Sequence, residues 1–272
     1  MSYRNAARLL LVAAVCACGS DRATAPASST PPAVLLKDVV LSSLPSPYYE
    51  FAYDGAGRIT RASLASGLRS YDVTYDGDRI SAMRTFGPSA RDRLQYEYAA
   101  SGELAAIEYV VDANDSVYTR LILAFAGTML TQVERQVRVD GGFIVDKTTS
   151  LSYYPDGNVE TITEHRPAIE GVQDETTAVD RFENYDDGLN VDGFSLLHTE
   201  FFDQLVLLPG VVLQHGNPAR VTHTGDGLEF TVDYSYAYDT KGRPLTKTGA
   251  LTIDSGVDAG RKFAISSTFT YY

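Results

Sequence analysis

The sequence predicts an all-β protein, an antiparallel meander of about 12–15 strands curled into a barrel or partial barrel, with one short inserted helix near residues 195–208. Three observations carry that expectation. Aromatic residues alternate with other residues in segment after segment. Each such segment ends on a turn rich in Asp and Gly. The units recur at even spacing, with Tyr53, Tyr75 and Tyr98 standing 22 and then 23 residues apart. Alternation at period two places the aromatics on one face of a sheet. Asp starts a turn by bonding its own backbone, and Gly supplies the positive φ that a tight turn needs.

The chain opens with MSYRNAARLLLVAAVCA, in which Arg4 and Arg8 precede an apolar run from Leu9 to Ala17. That run is shorter than the ~20 residues a spanning helix needs and has the form of a secretory signal. Val15-Cys16-Ala17-Cys18 resembles a lipobox, with a small residue just before the acceptor and a branched one three before it. The expectation is cleavage after Ala17 and a diacylglycerol thioether on Cys18, whose acyl chains bind a membrane by roughly 0.8 kcal/mol per buried CH2. Residues 1–17 are then a leader and 18–33 a disordered Ser/Pro-rich tether, because SDRATAPASSTPP cannot bury enough surface to fold. Residues 34–272 form a single β-meander domain.

Both cysteines fall in the leader region, so that domain can contain neither a disulfide nor a cysteine-based metal site. With 23 basic and 35 acidic residues the formal charge is −12. Loss of Arg4 and Arg8 leaves 21 against 35, or −14. Such a balance argues against nucleic acid and anionic lipid surfaces as partners. The 18 Tyr and no Trp suit pleated, half-buried strands.

The repeats begin with Tyr49-Glu50-Phe51-Ala52-Tyr53-Asp54 and continue through Tyr71 to Asp76, Leu94 to Tyr98, Leu151 to Tyr154 and Tyr234 to Asp239, with Phe125-Ala126-Gly127 as a worn copy. Return turns fall at Ser66-Gly67, Gly87-Pro88, Ala113-Asn114, Gly141-Gly142 and Ser255-Gly256. Strands lengthen along the chain, from about six to about ten residues. In the strand from Leu130 to Val139, Val133, Val137 and Val139 share one face, and Gln132, Glu134, Gln136 and Arg138 point the other way. Asn184 to Asn217 breaks the rhythm. There Leu197, Phe201, Leu205 and Leu208 stand at roughly helical spacing before Pro209-Gly210, which predicts a short amphipathic helix plugging one face or end of the sheet.

The motif Tyr-Asp-x-x-Gly-Arg, present as Tyr53 to Arg58 and Tyr238 to Arg243, resembles the YD repeat of RHS-type proteins. The whole arrangement is similar to a family of uncharacterised lipoproteins, common in Bacteroidetes, with a porin-like fold. The likeness rests on the lipobox with its tether, on Phe182-Glu183-Asn184-Tyr185-Asp186-Asp187-Gly188-Leu189-Asn190, and on Gly216-Asn217-Pro218 leading to Tyr234 through Pro244. It departs at Val191, where that family tends to carry Pro. The resemblance implies a broad antiparallel sheet curled into a barrel and no known activity, so it carries over no functional residues.

Candidate sites are few. Asp186 to Gly193 looks like a calcium loop, but the EF-hand spacing fails at Gly188 and Thr199, and an Asp/Gly-rich turn is the plainer reading. His165, His198, His215 and His223 form no close-spaced pair, so no metal is expected, and they read as exposed or turn residues. No nucleophile elbow, P-loop or GxGxxG is present, no carboxylate pair stands out, and no cofactor is expected. Tyr236 and Tyr238 are the candidates for ligand binding, by stacking on a sugar if they face solvent; rows of this kind otherwise pack across strands. A transmembrane barrel needs strands of 9–11 residues with an unbroken apolar face. The early strands are shorter, so attachment falls to the lipid on Cys18.

The expectation is therefore a non-enzymatic, lipid-anchored cell-envelope protein, of the outer membrane, that binds a glycan, small ligand or envelope protein, or serves as a structural module. The alternatives are a periplasmic carrier of apolar ligands in a sheet cavity and a glycan-processing enzyme with two carboxylates in a cleft.

Overall fold

The structure, a computed structural model, describes residues 34–87, 91–197 and 205–272. The expected leader, Cys18 and tether lie outside the described residues. Sixteen strands follow in chain order: β1 Leu36–Leu41, β2 Tyr49–Tyr53, β3 Ile59–Leu64, β4 Arg69–Asp76, β5 Arg79–Thr85, β6 Asp92–Tyr98, β7 Leu104–Val111, β8 Ser116–Ala126, β9 Met129–Val139, β10 Gly142–Tyr153, β11 Val159–Arg166, β12 Thr176–Tyr185, β13 Pro218–Gly225, β14 Phe230–Tyr238, β15 Pro244–Ile253 and β16 Lys262–Tyr271. Each pairs antiparallel with its neighbours in sequence, and β1 pairs with β16, so the meander closes into a barrel. The sheet thus has sixteen strands rather than 12–15, and closure leaves it no free edge.

The Tyr-Asp-x-x-Gly-Arg motif explains how one end of this barrel is built. Asp54 Oδ1 accepts the N–H groups of Ala56 and Arg58, both at 2.9 Å, while Oδ2 accepts Arg58 Nε at 2.8 Å. Gly57 supplies φ 80°. Asp239, Lys241 and Arg243 repeat the same bonds at 2.8, 3.0 and 2.7 Å. The arginine then lies over the tyrosine of the next unit: Arg58 over Tyr75 at 4.8 Å, Arg79 over Tyr98 at 5.2 Å, and Arg243 over Tyr271 at 4.4 Å. That tyrosine donates its hydroxyl to the carbonyl of the aliphatic residue or proline that follows the preceding turn. Tyr75 reaches Ile59 (2.9 Å), Tyr98 reaches Ile80 (3.0 Å), Tyr153 reaches Leu130 (2.7 Å), Tyr185 reaches Val159 (2.7 Å) and Tyr271 reaches Pro244 (2.6 Å). Tyr53 closes the ring on Leu36 at 2.8 Å. A register shift precedes the aromatic residue at Tyr53, Tyr75, Tyr98, Phe125, Tyr153 and Tyr238. Such bulges re-aim a side chain. The repeat is a device for stapling each hairpin to the one before it.

The two faces of the wall differ in chemistry. Outward positions carry cross-strand polar pairs: Arg61 with Asp72 (3.1 Å), Arg120 with Glu108 (2.8 Å), Arg181 with Glu160 (3.0 Å), Ser152 with Thr161 (2.7 Å) and Thr270 with Asp38 (2.9 Å). Inward positions of the early strands are apolar and fully covered, among them Phe51, Ala62, Tyr71, Met83, Leu94 and Ile107. Along these early strands the barrel is apolar inside and polar outside, the reverse of a lipid-embedded one.

The segment between β12 and β13 enters the barrel as a strap. Among the described residues its one helical turn is a 3₁₀ turn, Gly193–Leu197, and Leu205 to Leu208 is not helical. Of the helix expected near 195–208, the structure describes this 3₁₀ turn and the non-helical Leu205 to Leu208; residues 198–204 lie outside the described residues. Apolar residues here face walls on more than one side. Leu205 and Leu207 are buried, and the Leu207 carbonyl accepts the Tyr96 hydroxyl at 2.8 Å. Val206 and Leu208 turn to a cavity. A barrel interior buries both faces of an extended segment, which sequence spacing cannot distinguish from a helix stripe.

Candidate functional site

Asparagines hold the strap. Asn217, 2% exposed, donates its amide to the carbonyls of Gly188 (3.2 Å) and Leu189 (3.1 Å) and accepts Asn190 Nδ2 at 3.2 Å. Asn158 takes the place that Arg58 and Arg243 have in their turns and accepts the N–H groups of His215 (2.7 Å) and Gly216 (3.1 Å). Phe194 meets Tyr49 and Phe51 edge-on at 4.9 and 5.2 Å. The strap thereby packs against β2 and β6 and leaves space toward β8–β15.

Two cavities occupy that side. One, of ≈ 320 Å³, is bordered by Leu121 and Leu123 of β8, Val133, Arg135 and Val137 of β9, Lys147 and Thr149 of β10, and the strap. The other, of ≈ 550 Å³, is bordered by Glu164 and Arg166 of β11, Asp180 and Phe182 of β12, His223 of β13, and Tyr234 and Lys247. Both fall within the range of about 300–1,000 Å³ found for small-molecule sites. Lys147 of the first cavity pairs with Glu164 of the second at 3.3 Å, and Glu164 also takes Arg166 at 2.8 Å. Arg135 grips Asp146 in a fork at 2.8–3.1 Å.

His223 lies in the second cavity, stacked on Phe230 at 4.6 Å, with a side chain only 12% exposed. Its Nδ1 is 2.7 Å from Asp180 and its Nε2 is 3.3 Å from Asp226. Burial pulls the ring's pKa down, but the Asp180 bond and charge, with Asp226, outweigh it and hold it above 6.5. Burial also raises the Asp180 carboxyl, and His223 only partly offsets this. Both ring nitrogens face carboxylates, so neither is placed to take a proton from a hydroxyl nucleophile. Lys247 is held above its ordinary value against burial by Asp192, 3.5 Å away.

The sequence candidates fall elsewhere. Tyr236 and Tyr238 project inward, their rings stacked 6.1 Å apart. Tyr236 donates to the Pro218 carbonyl at 3.0 Å, and Tyr238 donates to Asp186. Burial first, and nearby acids second, push both phenols far up. Their neighbour Tyr234 is the member of the row that borders the second cavity. Asp186 also accepts the N–H groups of Gly188 and Asn217, both at 3.0 Å, while Asp192 faces Lys247, so these two of the three acids of the supposed calcium loop turn to different protein donors. His165 faces Glu175 at 3.1 Å, and His198 lies outside the described residues. His223, expected at the surface or in a turn, is instead an interior residue. Parity was the missed signal: Val221 and His223 share a face, as do Val133, Arg135 and Val137.

Two solved structures share the fold. A porin-like protein from Bacteroides uniformis ATCC 8492 is 10% identical, with the match covering 82% of this chain and 89% of that one at a TM-score of 0.54. A porin-like protein from Bacteroides vulgatus ATCC 8482 is 12% identical, covering 88% and 99% at a TM-score of 0.57. No family model and no curated protein matches the chain. At these identities the likeness is one of fold, and it agrees with the closed all-β barrel described above.

Proposed function

We propose that this chain is a non-enzymatic, lipid-anchored envelope protein whose water-facing barrel holds a small molecule inside. The observation that carries the reading is the pair of cavities, lined by both charged and apolar side chains, beneath an outer wall of polar pairs. A wall of Arg, Asp, Glu and Thr costs too much in hydrocarbon to span a bilayer, at about 2–4 kcal/mol for each Arg or Lys at the midplane. Attachment therefore falls to the acyl chains on Cys18. Envelope location is also the setting suggested by the porin-like neighbours. Catalysis is disfavoured because the best-placed histidine is flanked by two carboxylates. Tyr236 and Tyr238 would meet only a ligand that reaches past Tyr234 toward the strap.

Two measurements test this. Residues 19–272, titrated with the neutral dye Nile red, should enhance its fluorescence saturably. Leu121→Trp with Val133→Trp, which fill the smaller cavity, should reduce that signal at an unchanged melting temperature. A folded protein that binds no dye overturns the container reading. Separately, the full chain should incorporate labelled palmitate and sediment with membranes, and Cys18→Ser should do neither.

A further inference from the structure

We infer that a proton on His223 latches the β13–β14 turn to the barrel wall, and that the turn loosens when the ring becomes neutral. Asp180, His223 and Phe230 stand directly opposite one another across β12, β13 and β14. The His223–Phe230 pair is the last of its ladder, so from Thr224 to Glu229 the two strands pair no further. Asp226 lies in that turn with a left-handed φ of 46°, between Gly225 at 93° and Gly227 at 86°. Such a conformation is disfavoured for a residue with a side chain, though least so for Asp and Asn. The turn is held by few bonds. Asp226 donates its N–H to the Thr177 carbonyl at 3.3 Å, and its Oδ1 accepts the Leu228 N–H at 3.2 Å. The same Oδ1 faces His223 Nε2 at 3.3 Å.

That last contact needs the charged ring. A neutral imidazole carries one N–H and the imidazolium two, and here each ring nitrogen faces a carboxylate. Asp180 is the nearer acid, at 2.7 Å, and the less exposed, at 28% against 39% for Asp226. A ring that loses one proton therefore keeps its N–H on Asp180 and turns the Nε2 lone pair toward Asp226, so attraction becomes repulsion. Stacking on Phe230, with the planes 7° apart, holds the ring in place. A flip would exchange the nitrogens and still leave one facing each acid. Burial works against the charged ring, and the two acids outweigh it. Among the described residues, the other charged groups around this row are Glu164 and Arg166 of β11 and Lys247 of β15, with the Tyr234 phenol of β14. Glu164 faces Lys147 at 3.3 Å and Arg166 at 2.8 Å, Lys247 faces Asp192 at 3.5 Å, and burial holds the Tyr234 phenol up. Asp226 and Leu228 also border the larger cavity, but the latch does not depend on what that cavity holds.

NMR on the isotope-labelled chain from about pH 5 to about pH 9 tests this, because that range spans the ordinary histidine value. Solvent exchange of the Leu228 amide, corrected for its intrinsic base-catalysed rate, should rise roughly threefold through the His223 midpoint, the size expected of a partly exposed charge pair. The Val221 amide, inside the β13 ladder, should stay level. Asp226→Asn keeps an acceptor for the Leu228 N–H, tolerates the left-handed backbone, and can accept from the charged ring or donate to the neutral one. In that variant Leu228 exchange should stay flat across the range, and the His223 midpoint should fall. Leu228 exchange that does not change while His223 titrates overturns the latch. So does an equal rise at Val221, which would mark a general loosening of the sheet. A variant that keeps the same rise at Leu228 removes Asp226 from the device. The titration of the unmodified chain decides the matter even if the variant does not fold.

Discussion

The arc β2–β7 and the arc β9–β15 line the same barrel with opposite chemistry. In the first, strands of five to eight residues present Phe51, Tyr71, Met83, Leu94 and Ile107 to the strap, and these residues are almost wholly buried. In the second, strands of eight to twelve residues carry Arg135, Lys147, Glu164, Arg166, Asp180 and His223 at the borders of the two cavities. The outer wall and the tyrosine staples continue through both. One arc supplies the covered apolar area that stabilises the fold, and the other spends part of its wall on charge. A closed sheet permits this division, because its hydrogen-bond ladder does not depend on what fills the inside.

The comparison breaks most readily in the packed arc. Leu94→Ala should cost about 2–5 kcal/mol, as a fully buried leucine does, whereas Leu121→Ala, already bordering a cavity, should fall near the low end of that range. Denaturant midpoints measure both, and equal losses would contradict the division. The strap is next. Asn217→Ala orphans the Gly188 and Leu189 carbonyls, at about 1–3 kcal/mol for each buried group. Hydrogen exchange should then speed up across residues 205–213 before it does in the barrel wall.

Smaller effects sharpen the picture of the staples. Tyr75→Phe removes one hydroxyl bond to Ile59 and should cost about 1 kcal/mol. Phe125 occupies the staple position without a hydroxyl. Phe125→Tyr should reach the Leu104 carbonyl and raise the melting temperature slightly; a fall would show that the interior there has no room for the oxygen. The smallest effect is electrostatic. His223 should titrate by NMR with a midpoint above 6.5, and Asp180→Asn should lower that midpoint. Its sign follows from the raised value: the charged ring's contribution to stability is complete below the unfolded value near 6.5 and fades as pH rises through the folded midpoint. Stability that instead grew with pH across that window would refute the Asp180–His223 pairing.

Much of this was legible before any coordinates. Strand type and turn position follow from Tyr53, Tyr75 and Tyr98 with their Asp and Gly neighbours, because period two and positive φ are local properties. Parity alone put Gln132, Glu134, Gln136 and Arg138 on one face and Val133 and Val137 on the other, and by the same parity Arg135 belonged with the valines. The strap misled at its described end, because Leu205 and Leu208 fit a helical spacing equally well when an extended segment is buried on both sides. His223 looked like a surface residue because nothing near it in sequence discloses Asp180, 43 residues away.

The sequence by itself determined the strands, the turns and which side chains share a face, since each depends on residues within one hairpin. Only the tertiary structure decided that the sheet closes at sixteen strands, that its apolar face turns inward, and that the strap fills one side and leaves cavities on the other. Those outcomes depend on Asp38 meeting Thr270 across β1 and β16 and on Tyr96 meeting Leu207, contacts between chain segments 232 and 111 residues apart that no local pattern encodes.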